Sequence, residues 1–538
     1  MKHSRQFMVQ AIMMGAFSIL MRAIGVSFQV YVVSRVGAEV SGLSALMGGV
    51  FGFAVTLALS GIQLGCTRLV AEGIGCGQGR RVRYTLVCAL LYACFFGMLS
   101  AALLFLLADP IARLGLRHAE TALPLRIMAL SLLPMALSAC LSGYFVAVRR
   151  VYKSTILQLG EQLLRIALTV FLFRSVQSPS PAHALSLLAR ADTLSCMSAA
   201  LCLLALFLLD RRAHAAEIPD TGEPCSLRHV AGHLLAVTLP VAVSAYARSG
   251  LISLEHLLLP AGLARYGQAE GAALAAYGAL QSMALPVVLF PAALPAAFAN
   301  LLIPEVTERH VRGEMPKIRG IIQRVLSLAL LFAIGVAGIM IGFADELGEL
   351  LYQNSQASHF IRVLAPLIPV MYLDSAVDAM LKGLGQQVSA MGINIVDASL
   401  SVLLVWILVP RMGIYGYLAT IYITELVNAV LSILRLIRVS HVHIFPVRWV
   451  LKPALGALGA IAIFHLIRTL LPALSFVYAQ KIAPVVLAIA LCTLLYLLLC
   501  LLLGAIRPYE LRWILHLFSG EPKNNQKSQL IAASRLDE

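Results

Sequence analysis

The residues of this chain that could do chemistry are ionisable groups lying inside long apolar runs. Arg22 and Arg248 each sit in the middle of such a run. At bilayer depth a guanidinium costs a few kcal/mol on insertion scales unless it meets an anion or a hydrated space. Its planar fork of donors fits a diphosphate in bidentate fashion. Two of them at corresponding places in two halves of a chain would make a receptor for an anion such as a pyrophosphate. The competing reading pairs each arginine with a carboxylate and gives it a packing role. Arg165 has a local partner of that kind, Glu161, four residues earlier on the same helical face. That pair is either structural or a gated pair lining a cavity. Glu255, next to His256 near a run's end, is either a gate or interfacial. Arg22, Arg248, Glu161, Arg165 and Glu255 are therefore the candidate substrate-binding residues.

A second set is acidic. Asp374 and Asp378 share one helical face, and Asn394 and Asp397 share a face of the following run. Thr424 and Glu425 lie in the run after that. Carboxylate, amide and hydroxyl oxygens so grouped could hold Na⁺ or relay a proton. They could equally bond neighbouring helices. These six are the cation-coupling candidates. Arg126, Arg190, Arg324 and Arg362 lie near run ends, where long side chains reach the interface. His441 and His443 lack further ligands for a metal. The turn Gly75–Gly79 lacks the Lys-Ser/Thr of a phosphate-binding loop and follows no strand. No Ser/His/Asp set or zinc motif occurs, so neither an enzyme nor a cofactor or resident metal is expected.

These side chains must be positioned by membrane-spanning helices. Of 538 residues, 60% are hydrophobic and 12% charged. Soluble domains run at roughly 45–50% and about 25%. The apolar runs are continuous rather than alternating, which favours helices over a barrel. Fourteen runs reach about 20 residues. They lie near 10–33, 42–65, 84–108, 123–147, 154–174, 184–209, 231–259, 275–301, 318–343, 359–381, 389–410, 413–434, 451–471 and 482–504. The first carries Arg22 and reads as a retained span. The net charge of +15 falls in short clusters between runs, not in a nucleic-acid-binding domain. With the N-terminus inside, 26 of the 41 Lys and Arg residues fall in inner segments and eight in outer ones. The ten cysteines form no CxxC pair and behave as small buried residues.

The longest polar break, residues 210–230, divides two halves that look alike. Ser44-Ala45-Leu46 matches Gly278-Ala279-Leu280, Leu69-Val70-Ala71-Glu72 matches Leu302-Ile303-Pro304-Glu305, and Arg22 is answered by Arg248. Six spans per half is an even number, so the repeats are parallel, and a substrate site falls between them. The expected fold is an all-α membrane protein of fourteen transmembrane helices, two parallel six-helix lobes plus two C-terminal helices. The parts are an N-terminal lobe (1–209), a cytoplasmic linker (210–230), a C-terminal lobe (231–438), two additional helices (439–504) and a cytoplasmic tail (505–538). Within the tail, Arg507–Leu517 reads as an interfacial helix. Prolines 134, 240, 286, 291, 295, 366 and 369 interrupt the runs.

The stretch Ser60-Gly61-Ile62-Gln63 ending in Arg68-Leu69-Val70-Ala71-Glu72 resembles the stage V sporulation protein B group of flippases. So do Leu141-Ser142-Gly143-Tyr144-Phe145 and Glu161-Gln162-Leu163-Leu164-Arg165-Ile166. That group belongs to the multidrug/oligosaccharidyl-lipid/polysaccharide (MOP) exporter superfamily, which also holds the MATE and MurJ-type proteins. The resemblance implies alternating-access flipping of an undecaprenyl-diphosphate-linked glycan or peptidoglycan precursor across the plasma membrane. It implies Na⁺ or H⁺ as coupling ion, and cell-wall or polysaccharide synthesis proteins as partners beside membrane lipids. By position, Arg22 is similar to a central-cavity arginine of MurJ-type proteins. Phe28-Gln29 and Gly278–Gln281 stand where those proteins carry charge, so Arg248 would substitute. The Asn394/Asp397 region is similar to their Na⁺ site. Both termini are expected to be cytoplasmic. The alternatives are a MATE-type cation-coupled multidrug antiporter and a membrane-embedded glycan polymerase or scaffold; short outer loops argue against the last.

Overall fold

The computed structural model describes residues 2–174, 180–213, 226–267, 269–470 and 482–506. Among the described residues the elements are all helical. Thirteen stretches are long and apolar enough to cross a bilayer. The first, Ile19–Gly75, has 57 residues. As one helix it would be about 85 Å long, well over twice the ~30 Å hydrocarbon core. Its backbone breaks at Gly37 (φ 79°, ψ 173°), a conformation open to glycine and strained for other residues. The expected fourteen spans differ from this count by one, and the difference lies in this stretch.

In chain order the helices are α1 (Lys2–Leu59), α2 (Ile62–Gly75), α3 (Gly79–Pro110), α4 (Ala122–Ala129), α5 (Leu132–Ala147), α6 (Val151–Arg174) and α7 (Pro181–Ala213). After an interval come α8 (Leu227–Tyr266), α9 (Glu270–Gly278), α10 (Leu285–Leu289), α11 (Ala293–Val311), α12 (Met315–Gly342) and α13 (Ala344–Tyr352). Then follow α14 (Ser355–Leu364), α15 (Ile368–Gly383), α16 (Gln387–Met412), α17 (Ile414–Ser440), α18 (Lys452–Leu470) and α19 (Ile482–Leu502). Prolines explain several interruptions. A proline ring clashes with the carbonyl four residues earlier. Pro134 thus accounts for the break at Leu130-Ser131 between α4 and α5, and Pro369 for the 3₁₀ turn Ala365–Leu367 between α14 and α15. Of the expected linker, 214–225 lie outside the described residues, as does the expected interfacial helix Arg507–Leu517.

One spacing recurs along the molecule. Asp109 pairs with Arg126 and Asp345 with Arg362. Gln78 accepts from Arg81 as Glu314 accepts from Lys317. The residue after α5, Val148 (φ −82°, ψ 9°), is followed by left-handed Arg149; Leu384 (φ −86°, ψ 8°), after α15, is followed by left-handed Gly385. All these positions correspond at an offset of 236 residues. The Thr67 hydroxyl donates to the Gly143 carbonyl at 3.0 Å, and Thr307 to that of Gly383 at 3.1 Å, the same bond one turn further along. This register corrects the sequence comparison: Gly42, not Ser44, corresponds to Gly278, and Glu72 corresponds to Glu308 rather than Glu305. Counted back from the helix breaks, Arg22 stands fifteen residues before Gly37 and Arg248 nineteen before Gly267. Arg248 is therefore one turn further from its break.

Gly42 and Gly278 also touch each other. A Cβ on Gly42 would lie 2.2 Å from the Leu274 carbonyl oxygen, and one on Gly278 would lie 1.9 Å from that of Ala38. Ala38 and Leu274 are 236 residues apart, as are the two glycines, so the contact is self-complementary, as a twofold axis requires. Glycines let the two backbones approach this closely. Ser282 on the π-turn after α9 donates to the Ser41 carbonyl at 3.1 Å and extends the seam. Among the described residues no comparable packing joins α2 to α11 at the opposite end. A second seam runs along α8. Thr56 donates to Ser249 at 3.0 Å, Ser253 donates to the Gly49 carbonyl at 2.7 Å, and the Ser60 and Tyr246 hydroxyls bond each other. α18 and α19 pack on α12, where Tyr496 donates to the Leu331 carbonyl at 2.6 Å over Gly335.

Candidate functional site

Helices α8, α15, α16 and α17 converge on a group of charged residues. Arg248, on α8, is exposed, and its charge reaches Asp374 on α15, Asp397 on α16 and Glu425 on α17. The three carboxylates are half-buried. The buried Asn428 side chain on α17 also lies near Asp374. Asp378, one turn along from Asp374, is bound to Lys382 at 2.6 Å. Asn394 lies three residues before Asp397 and is half-buried. Thr424 is buried, and its hydroxyl donates to its own helix at the Thr420 carbonyl, 3.0 Å away.

The other candidates fall into two places. In the N-terminal half, Arg165 lies 3.2 Å from Asp192 on α7 and 3.9 Å from Glu161. Its nearer partner is thus on the next helix, which i,i+4 reasoning cannot see. Glu161 precedes Asp397 by the same 236 residues. Glu255 faces the C-terminal acids: its charge reaches Asp397 on α16 and Tyr417 on α17. Tyr417 in turn packs against Tyr277, with ring centroids 5.7 Å apart. Neighbouring His256 packs on Gly49, its Nδ1 2.8 Å from the Ile252 carbonyl oxygen.

Arg22 is exposed, and its charge reaches Tyr372 on α15. Tyr372 is fully buried and donates to the Val288 carbonyl at 2.5 Å. Tyr372 and Asp374 are two residues apart on α15 and face opposite sides of that helix. Among the described residues neither arginine forms an ion pair within 4.0 Å. Arg126 and Arg362, by contrast, are bound to Asp109 and Asp345, partners that interfacial reach alone did not foresee. Asn428, Tyr277 and Tyr417 were missed as companions of the acids. Tyrosines and asparagines are common in apolar runs, and only the packing of α17 on α15 and α16 shows what they face. Arg228, His229 and His233 line a recess of about 500 Å³ at the start of α8, beside Arg81.

Comparison with known proteins agrees with this architecture. The family model MatE matches residues 16–171 and 263–407, more than half of the chain. Stage V sporulation protein B of Bacillus subtilis (strain 168) is 24% identical over 417 residues, covering 76% of this chain and 79% of that protein. Sporulation protein YkvU of the same organism is 23% identical over 261 residues, 48% of this chain and 57% of its own length. Among solved structures, "Lipid II flippase MurJ, inward closed conformation" aligns with a TM-score of 0.68 at 12% identity, covering 91% of this chain and 98% of that one. An inward-facing MATE family transporter of the MOP superfamily aligns with a TM-score of 0.65 at 16% identity, covering 78% and 95%. An outward-facing MATE transporter gives 0.56 at 18% identity, covering 81% and 96%. The resemblance read from the sequence motifs is borne out, and the chain, a multi-pass membrane protein by its helices, belongs to the MatE family.

Proposed function

We propose that this protein is a flippase, not an enzyme, that moves an undecaprenyl-diphosphate-linked glycan or peptidoglycan precursor across the plasma membrane by alternating access. The observation that carries the reading is the pair of exposed arginines, Arg22 and Arg248, which lie within membrane-spanning helices with no carboxylate in ion-pair contact among the described residues. Unpaired guanidinium groups at that depth call for an anionic cargo and a hydrated space. The lobes close at Gly42 and Gly278, while at the end that carries Arg80, Arg81 and Arg83, α2 and α11 stay apart among the described residues and α8 bridges to α2 and α3. The positive-inside bias makes that end cytoplasmic, so the cleft faces the compartment where lipid-linked precursors are made. The basic recess at the start of α8 suits anionic headgroups at this mouth. The names of the sporulation relative and of MurJ support a cell-wall cargo. Both termini are then cytoplasmic, with lobes 1–209 and 231–438 rocking about the seam and 439–504 packed alongside. Glu161 and Arg165, with Asp192, line the N-terminal side as one ion-paired set, and the acids of α15–α17 serve a coupling Na⁺ or H⁺.

The test is Arg22→Ala in proteoliposomes, reading the rate at which a lipid-linked diphosphate sugar crosses. Loss of a charge-assisted bidentate contact worth about 1.5–3 kcal/mol predicts a fall of roughly 10- to 100-fold. An unchanged rate contradicts the role. The acid cluster also suits the second reading, a MATE-type antiporter of cationic drugs. Dye efflux driven by a Na⁺ or H⁺ gradient, unaffected by Arg22→Ala, would favour it.

A further inference from the structure

The two halves hold their acids differently. Glu161 and Asp192 are held by Arg165, which is on the same helix as Glu161 and 3.2 Å from Asp192. That set is closed within its own half. The corresponding acids around Asp397 receive their cation from α8, which also forms the seam with the other half. Ser249, next to Arg248, is bonded across that seam to Thr56 at 3.0 Å. Arg248 thus sits on a helix packed against both halves, with α16 and its Asp397 on one side and α1 on the other.

We propose that Arg248 is a tethered counter-cation exchanged between two anions, and that this exchange couples cargo to cation; the idea rests on the flippase reading. Without cargo the guanidinium neutralises part of the charge of Asp374, Asp397 and Glu425. When a diphosphate enters, Arg248 turns to it, and the acids it leaves take up one cation, H⁺ or Na⁺, from solution. A carboxylate stranded without a counter-ion in the membrane is costly, so the two events are linked. Linkage is reciprocal: the cation must then raise affinity for the cargo by the same factor that the cargo raises affinity for the cation.

The surroundings fit an exchange rather than a fixed pair. Arg248 lies within Coulombic reach of acids on three helices, yet is in ion-pair contact with none. Asp378 is already taken by Lys382, and Glu255 lies two turns along α8, near Asp397 and Tyr417. From α1 and α3 the facing groups are the hydroxyls of Thr56, Ser60 and Tyr92, and the charge of Arg22 reaches α15 at Tyr372, on the side away from Asp374.

Two measurements on the full chain in nanodiscs test this. The first uses no cargo and compares the thermal stability of wild type, Arg248→Gln and Arg248→Lys with and without Na⁺ and at stepped pH. With the built-in cation removed, Arg248→Gln gains a larger stabilisation by Na⁺ or by protons, while Arg248→Lys keeps the wild-type response. An identical response in all three overturns the proposal. The second uses wild type alone, so it stands even if Arg248→Gln fails to fold. Its probe is a short prenyl diphosphate linked to N-acetylglucosamine, a diphosphate diester that does not titrate between about pH 6 and pH 8. Its affinity rises up to about tenfold per tenfold increase in Na⁺ or per unit fall in pH. Binding independent of both overturns the exchange. No probe binding, together with the enhanced cation response of Arg248→Gln, would overturn the anion half of the proposal and the flippase reading with it, leaving Arg248 as the acids' counter-ion.

Discussion

What an intramembrane charge does depends on the group that faces it, and that is decided residue by residue. Arg165 illustrates the structural case. Its partners are half-buried, and removing Asp192 by substitution with Asn leaves only Glu161, 3.9 Å away. Asp192→Asn is expected to lower stability by about 1–3 kcal/mol, visible as a drop of a few degrees in melting temperature in detergent; an unchanged melting point would show the pair to be idle. Arg22 is the opposite case, with no acid in ion-pair contact among the described residues. The sequence displayed each of these charges because an apolar background makes them conspicuous. It displayed Glu161 beside Arg165 because four residues make one helical turn. It could not display Asp192, nor Asn428 beside Asp374, because those contacts form between helices.

At the scale of the elements, hydropathy made the spans legible, and prolines marked where several would break. The register of the two halves was harder to read. Small apolar residues recur throughout both, so Ser44-Ala45-Leu46 looked like a partner for Gly278-Ala279-Leu280. The 236-residue offset shows in polar pairs such as Asp109–Arg126 and Asp345–Arg362, and in the left-handed residues after α5 and α15. The Gly42–Gly278 contact makes a sharp prediction. A methyl at either position meets a backbone carbonyl that cannot give way. Gly42→Ala and Gly278→Ala should hold the seam open and cut cross-linking between Ser41→Cys and Ser282→Cys at least about tenfold. Gly48→Ala, with nothing within 4 Å of its added carbon, should leave cross-linking unchanged and add up to roughly 1 kcal/mol of stability through its helix preference. Equal cross-linking in all three would mean the seam is not the gate.

For the whole molecule, the distribution of the +15 net charge fixes an orientation that can be checked. Cys76 is exposed in the turn between α2 and α3, beside Arg80. A membrane-impermeant maleimide should label it in inside-out vesicles and not in intact cells; labelling of intact cells would invert the topology and the direction of transport. The bilayer-spanning architecture was legible from composition, because lipid imposes one solution on so apolar a chain. The cargo is less legible, because the same two-lobed fold serves both drug antiport and lipid flipping, and function resides in a few side chains at its centre.

The central claim is that the cleft carries a lipid-linked diphosphate. The most direct test is translocation of a fluorescent lipid-linked diphosphate sugar by purified protein in proteoliposomes, with Arg22→Ala and dye efflux measured in the same vesicles. Transbilayer movement well above that of empty vesicles, falling at least about tenfold in Arg22→Ala, is the predicted result. Vesicles that leave the lipid where it was while expelling cationic dye would contradict it.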